Sequence, residues 1–306
     1  MSLDLFLVFS ASITYAAALL YPSLGESFTE LSGIYNIGTE GIMLISAATT
    51  YIGAVYTGNP FVGLLAGILT GGLIGAVLAV FSLSLKADQV IFGLGIILLG
   101  SFLGIFLVDV TEKQVGTIQV PLLPKVGLES LGYPLSIILK QNILVYVAIF
   151  LAFVVWFLLF RTKFGLAVRS VGENPHVAAS AGINVVLVRV VCAVIGSAIA
   201  ALGGSFVLIG ISGIWSENLT AGRGFVGIAI VRIGFFRPLL ILIFSLVFGF
   251  VDSFQLSLQV TTSGFPVQFL QMLPYITGLT ALVISGKYKL FGQPASIGKP
   301  FVREER

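Results

Sequence analysis

The sequence predicts an all-α membrane protein, a single polytopic helical bundle of about nine transmembrane helices (eight to ten) with broken or re-entrant segments. Three observations point there. Hydrophobic residues make up 57% of the chain and charged residues only 9%, against roughly 25% charged in soluble domains. Apolar runs long enough to cross a bilayer as helices recur along the whole length. The runs are continuous rather than alternating in short segments, which argues against a β-barrel. The net charge of +3 follows from membrane topology and gives no ground for nucleic-acid binding. The single cysteine, Cys192, excludes an internal disulfide and lies in an apolar run, where it reads as a small buried residue.

No basic region or small-residue cleavage site opens the chain, so no removable signal peptide is expected. The first span is placed at 5–21. The stretch 22–41, PSLGESFTELSGIYNIGTEG, carries Glu26, Glu30 and Glu40 and is too polar for a lipid-facing helix, so it is read as a break. Spans follow at 41–57, 61–85, 90–108 and 143–160, with Lys86 and Asp88 marking the turn between the third and fourth. Residues 109–141, with Pro121, Pro124 and Pro134, read as one long extracytoplasmic loop. Further spans are expected at 185–209, with the packing pair Gly203 and Gly204, and at 225–236, 239–258 and 269–285. Arg232 is expected to snorkel from the end of the short seventh span.

Between the fifth and sixth spans lies RTKFGLAVRSVGENPHVAASAGIN, residues 161–184. A helical segment is expected over 164–171. Asn174 suits an N-cap, Pro175 a first helical position and Gly182 a left-handed stop, which together bracket a second helix of about two turns. A helix that short is marginal in water, so it must be held against something. Basic residues orient the chain: Lys86, Arg161, Lys163, Arg169, Arg189, Arg232, Arg237, Lys287, Lys289, Lys299, Arg303 and Arg306 share one side, and Lys113, Lys125, Lys140 and Arg223 the other. The richer side is cytoplasmic by the positive-inside rule, which puts 161–184 and the C-terminus inside and the N-terminus outside.

Two short strings echo each other. Ser32-Gly33-Ile34-Tyr35 with Asn36 and Gly41 resembles Ser212-Gly213-Ile214-Trp215 with Asn218 and Gly224, each at a break in the hydrophobic pattern. Paired breaks of this kind mark solute sites in transporters, because interrupted helices offer free backbone groups and helix ends. Asn36, Glu40, Glu217, Asn218, Thr220 and Arg223 are therefore the candidate residues of a translocation pathway. A structural Glu217–Arg223 ion pair is the alternative for those two. Asp252, beside Ser253 and Gln255, lines the same cavity or makes a packing hydrogen bond. No phosphate-binding loop, metal-ligand set or nucleophile–base arrangement is legible, and His176 stands without a Cys or His companion, so the chain is not read as an enzyme.

The strings NIGTEGIML, RTKFGLAVRSVGENPHVAASAGIN, SENLTAGRGFVGIAIV and FPVQFLQMLPYITGLTALVI, in that order, resemble the integral-membrane permease subunits of ABC importers of the branched-chain amino acid and ribose type, the nucleoside and simple-sugar branch above all. The resemblance spans nearly the whole chain. It implies a cell-membrane assembly with an ABC ATPase subunit carrying the ATP and Mg, a second permease subunit forming a heterodimer, and an extracytoplasmic solute-binding protein; this chain itself holds no cofactor. It also implies that 161–184 is a cytoplasmic coupling loop in which Arg169, Glu173, Asn174, Pro175 and Ala179 meet the ATPase. His176, where a basic residue is usual, and Arg232, at an apolar position, depart from the pattern. The alternatives are a permease for branched-chain amino acids and an ion-coupled secondary transporter of a small polar solute, which should show paired acids or a coupling-ion site deep in the spans.

Overall fold

The computed structural model describes residues 5–126, 132, 135–261, 266–287 and 292–301. Thirteen helices form the bundle: α1 (Leu5–Leu31), α2 (Thr39–Thr57), α3 (Pro60–Leu83), α4 (Gln89–Val115), α5 (Leu135–Leu139), α6 (Ile143–Arg161), α7 (Lys163–Glu173), α8 (Pro175–Ser180), α9 (Val185–Phe206), α10 (Arg223–Ile233), α11 (Pro238–Thr261), α12 (Val267–Gln271) and α13 (Leu273–Lys287). α9 runs on through a π-helical turn, Val207–Ser212, and two-residue strands at Lys125–Val126 and Gln141–Asn142 pair antiparallel.

Among the described residues six helical stretches are long and apolar enough to cross a membrane: Leu5–Leu31, Pro60–Leu83, Gln89–Val115, Ile143–Arg161, Val185–Ser212 and Pro238–Gln259. The expected spans at 41–57, 225–236 and 269–285 become the more polar α2, the 11-residue α10, and α12 with the 15-residue α13. The count of nine is thus not reproduced by length and composition, although the all-α bundle is.

The largest difference lies in α1. The helix does not stop at Tyr21 but continues through Pro22 to Leu31, and every residue from Ala16 to Leu31 is buried. Polarity here marks the bundle's centre rather than its exit, because the polar groups find partners inside. Ser23 donates to the Leu19 carbonyl at 2.7 Å and to that of Gly227 at 3.2 Å. Glu26 accepts the Asn36 N–H at 3.2 Å and the Thr39 hydroxyl at 3.1 Å. Glu30 accepts Arg232 at 3.0 Å, which corrects the snorkelling expectation: Arg232 turns inward, paired with α1, bonded to Gln293 at 2.9 Å and lying 5.0 Å over the Tyr35 ring. Burial of a lone carboxylate is costly, and the pairing offsets it.

α4 likewise outruns its expected end, so 109–115 is helix rather than loop, with an exposed Lys113–Asp109 pair at 2.6 Å on its last turns. Asp88 caps its start through the N–H groups of Val90 and Ile91. Pro134, Lys289, Arg303 and Arg306, used above for the loop and for orientation, lie outside the described residues.

Small residues set the spacing in the middle of the bundle. A Cβ on Gly204 would sit 2.0 Å from the Met43 carbonyl oxygen, one on Gly71 2.3 Å from the Ala201 side chain, and one on Gly100 2.4 Å from the Gly41 Cα. Such backbone approaches are how membrane helices associate without a hydrophobic drive between them. Not every glycine serves this end: a Cβ on Gly72 would meet nothing closer than 3.7 Å, and one on Gly95 nothing within 4 Å. Gly204→Ala should therefore lower thermal stability in detergent by about 1–3 kcal/mol, the cost of overpacking, while Gly95→Ala leaves the melting temperature unchanged or raised; equal melting of both variants and wild type would contradict the packing described.

Candidate functional site

The two echoed strings fold alike and lie where helices break. Gly33 (φ +92°) follows the end of α1 and Gly213 (φ +71°) follows the π-helical turn, each in the left-handed conformation that ends a helix. Each loop then leads into a helix that starts inside the bundle, α2 and α10. The two starts touch. Glu40, in the first turn of α2 and 3% exposed, accepts hydrogen bonds from the Gly222 N–H at 2.9 Å, the Gly224 N–H at 2.6 Å and the Thr220 hydroxyl. A carboxylate thus sits on the free N–H groups at the start of α10, where the helix dipole favours negative charge.

Beside this junction is a cavity of about 360 Å³ lined by Asn218, Ala221, Arg223, Asp252, Gln255, Gln259, Gln271 and Tyr275, with Leu19, Phe248 and Pro274 among its apolar walls. Its polar lining is not self-satisfied. Arg223 Nε, Gln255 Oε1 and Gln259 Nε2 are buried with no hydrogen-bond partner. Arg223 is held by the Thr220 carbonyl at 3.2 Å and by the Tyr15 ring, 5.7 Å below its guanidinium. Buried polar atoms are nearly always paired, and three orphans on residues lining one cavity single it out as the candidate site.

A second candidate face is formed by residues 161–184. The Asn174 side chain accepts the Val177 N–H at 3.1 Å and Pro175 opens α8, while Thr162 caps α7 through the Gly165 N–H. Gly182 (φ +86°) ends the segment in the left-handed region. α7 and α8 lie against the end of the bundle through a small cluster of Val171, Ala178 and Val185, with Phe301 packed on it. Glu173 and Asn174 face outward next to Val177, which is 63% exposed. Arg169 lies 5.0 Å over the Phe160 ring and donates to the Gly165 carbonyl at 3.3 Å.

Residues 8–284 match the family described as branched-chain amino acid transport system / permease component. The chain belongs to this permease family. It is 33% identical to the guanosine ABC transporter permease protein NupQ of Bacillus subtilis over 98% of both chains. Against the nucleoside ABC transporter permease protein NupC of Lactococcus lactis it is 33% identical over 89% of its own length and 90% of the relative's. A putative glucose ABC transporter permease protein, TsgC13 of Haloferax volcanii, is 34% identical over 82% and 77%. No solved structure matches the chain.

The permease fold distributes the pathway candidates singled out in the sequence over four places. Asn218 and Arg223 line the cavity, and Asp252 joins them from α11, whereas Ser253 turns away and donates to the Val8 carbonyl at 2.8 Å. Glu40 and Thr220 form the buried clamp under α10. Asn36, 1% exposed, belongs to the Glu26–Thr39 cluster, with its side-chain oxygen unpartnered. Glu217 is exposed, and Arg223 bonds to Thr220 rather than to Glu217. Gln259, Gln271 and Tyr275 were missed, as was the part of Gln255 beyond its mention beside Asp252. A signal for two of them existed: Asp252, Gln255 and Gln259 stand at i, i+3 and i+7, one stripe of an otherwise apolar helix. Among the described residues no group of three or more His, Cys, Asp or Glu is placed to hold a metal ion.

Glu40→Ala should destabilise the permease by roughly 3 kcal/mol, since two backbone donors and a hydroxyl lose a charged acceptor inside the bundle; Glu40→Gln, which keeps acceptor oxygen but not charge, should cost less. Thermal unfolding of both variants in one detergent checks the order.

Proposed function

We propose that this permease is the translocation subunit of an ATP-driven importer and that the cavity at the start of α10 lies on the path of a nucleoside or simple sugar. One observation carries the reading: Arg223, Gln255 and Gln259, each with a buried donor or acceptor that has no partner, line one cavity together with the aromatic Phe248 and Tyr275. A solute that fills it must offer both donors and acceptors. Arg223 and Asp252 bring opposite charges to the same walls, so the cavity has no net demand for an ion, and a neutral polar solute with a planar face fits it. The relatives, named as guanosine, nucleoside and putative glucose ABC transporter permeases, support this class.

Branched-chain amino acids remain the second reading, because the Arg223 and Asp252 pair offers counter-charges to a zwitterion. A wholly apolar side-chain compartment, which such a solute needs, is not what Gln255, Gln259 and Gln271 provide.

In this reading the chain crosses the cell membrane nine times, with α2, α10 and the α12–α13 pair completing the passages of the six long stretches. The N-terminus lies outside, and residues 161–184 and the C-terminus inside. Arg169, Glu173, Asn174, Pro175 and Ala179 form the face that meets a separate ATPase, which supplies ATP and Mg; a second permease subunit and an extracytoplasmic solute-binding protein complete the assembly. A capped pair of short helices suits this task, since closure of the ATPase dimer then moves a rigid object that biases the bundle between outward- and inward-open packings.

Two measurements test the proposal. In proteoliposomes holding the whole assembly, Gln255→Ala with Gln259→Ala should reduce nucleoside uptake about ten-fold, the loss of one or two buried hydrogen bonds to solute, with ATPase co-purification unchanged. Unlabelled leucine should not compete, and competition by leucine with none by nucleosides would favour the amino-acid reading. Glu173→Ala with Asn174→Ala should abolish capture of the ATPase subunit while the cavity variant retains it; intact capture and uptake would remove the coupling assignment.

A further inference from the structure

Among the described residues Arg189 is the largest side chain wholly withdrawn from solvent, 0% exposed, and no carboxylate among them pairs with it. Its guanidinium instead joins two pieces of chain, the end of α1 and residues 292–301. Nε donates to the Ser32 carbonyl just beyond α1 at 3.1 Å, one terminal nitrogen to the Lys299 carbonyl at 3.1 Å, and the other to the Ser296 hydroxyl at 3.2 Å. Ser296 passes the connection on. Its hydroxyl reaches the Gly172 carbonyl at 2.6 Å and its N–H reaches the same oxygen at 3.0 Å, at the end of α7. The Gly298 N–H donates to the Gly33 carbonyl at 3.0 Å, and Phe301 lies 5.3 Å from the His176 ring on α8. Nothing can be slipped between these parts: a Cβ on Gly172 would stand 2.0 Å from the Leu31 carbonyl oxygen, and one on Gly33 2.7 Å from both Arg189 and Ser296.

A buried guanidinium without a counter-charge is expensive unless every donor is used. Here three of its five N–H groups join segments distant in sequence, and the middle of the same α1 borders the candidate site, since Leu19 lines the cavity and Pro22 lies under Gly227 of α10. We propose that residues 292–301 are a strap, pinned by Arg189, that makes α7–α8 and the end of α1 one rigid body, so that a push on the coupling face reaches the cavity through α1. Ser296 and Arg189 are positioning residues in this scheme, which rests on the importer reading above. The strap works by stiffness: with it cut, α7 and α8 yield to the ATPase without moving α1.

The test measures ATP hydrolysed per solute imported in proteoliposomes containing the complete importer, alongside the amount of ATPase co-purified. Ser296→Ala, which removes one hydroxyl and leaves the backbone contacts, should keep ATPase capture at the wild-type level. It should raise the ATP-to-solute ratio about five-fold or more, the scale of a lost coupling free energy of this kind, and Ser296→Thr should restore it in part. Phe301→Ala, at the edge of the strap, should give a smaller rise and serves as the second variant if Ser296→Ala assembles poorly. A proportional fall in hydrolysis and uptake, tracking the amount of complex with the ratio unchanged, means a merely structural role and overturns the strap. Wild-type protein that neither captures an ATPase nor imports solute with ATP would instead sink the importer reading on its own, a result distinguishable from a wild type that is coupled and a variant that is equally so.

Discussion

Charged groups in the centre of this bundle must find partners there, and the placement of those partners organises the rest. The Glu40 carboxylate is the clearest instance. Buried without hydrogen-bond partners it would be costly; instead it holds the free N–H groups that open α10. That single interaction fixes α2 against α10, and therefore fixes where the chain between residues 213 and 222 can run. The cavity lies beside it because the loop that carries Asn218 and Arg223 is tied down at Thr220 and Gly222.

The same constraint recurs at the other end of α1. Glu30 and Arg232 pair across two helices, Glu26 is met by the Asn36 backbone and Thr39, and Arg189 is satisfied by carbonyls and one hydroxyl. Polar pairing and small-residue packing thereby do different jobs. Glycines let backbones approach to contact and leave the partners free to slide, whereas directional hydrogen bonds single out one arrangement. A transporter needs both, and three of the buried polar atoms left without a partner belong to residues that line the one cavity.

Much of this was legible from residues alone. The short α7–α8 segment was readable because capping is local chemistry: Asn174, Pro175 and Gly182 act on the few residues next to them. The echo of Ser32-Gly33 and Ser212-Gly213 was readable for the same reason, as each glycine takes a left-handed turn that few other residues take. The extent of α1 was not. Hydropathy reports what a segment would prefer as neighbours, and it cannot distinguish a polar stretch leaving the membrane from one enclosed by polar and apolar partners on neighbouring helices, as at Glu26 and Glu30. Arg232 was misjudged in the same way, since its partner is some 200 positions away, Glu30 by |i−j| = 202.

Composition and the recurrence of apolar runs thus determined the solvent, the helical class and the chain's kinship, because these depend on averages and on contacts between near neighbours. Which of the interrupted segments are helical, and which side chains surround a cavity, was decided only when α1, α10, α11 and α13 came together. The reason is physical: a buried polar atom is tolerated or not according to what stands opposite it, and for Glu40, Arg189 and the stripe of Asp252, Gln255 and Gln259 the opposite group comes from a distant part of the chain, or is absent and left to the solute.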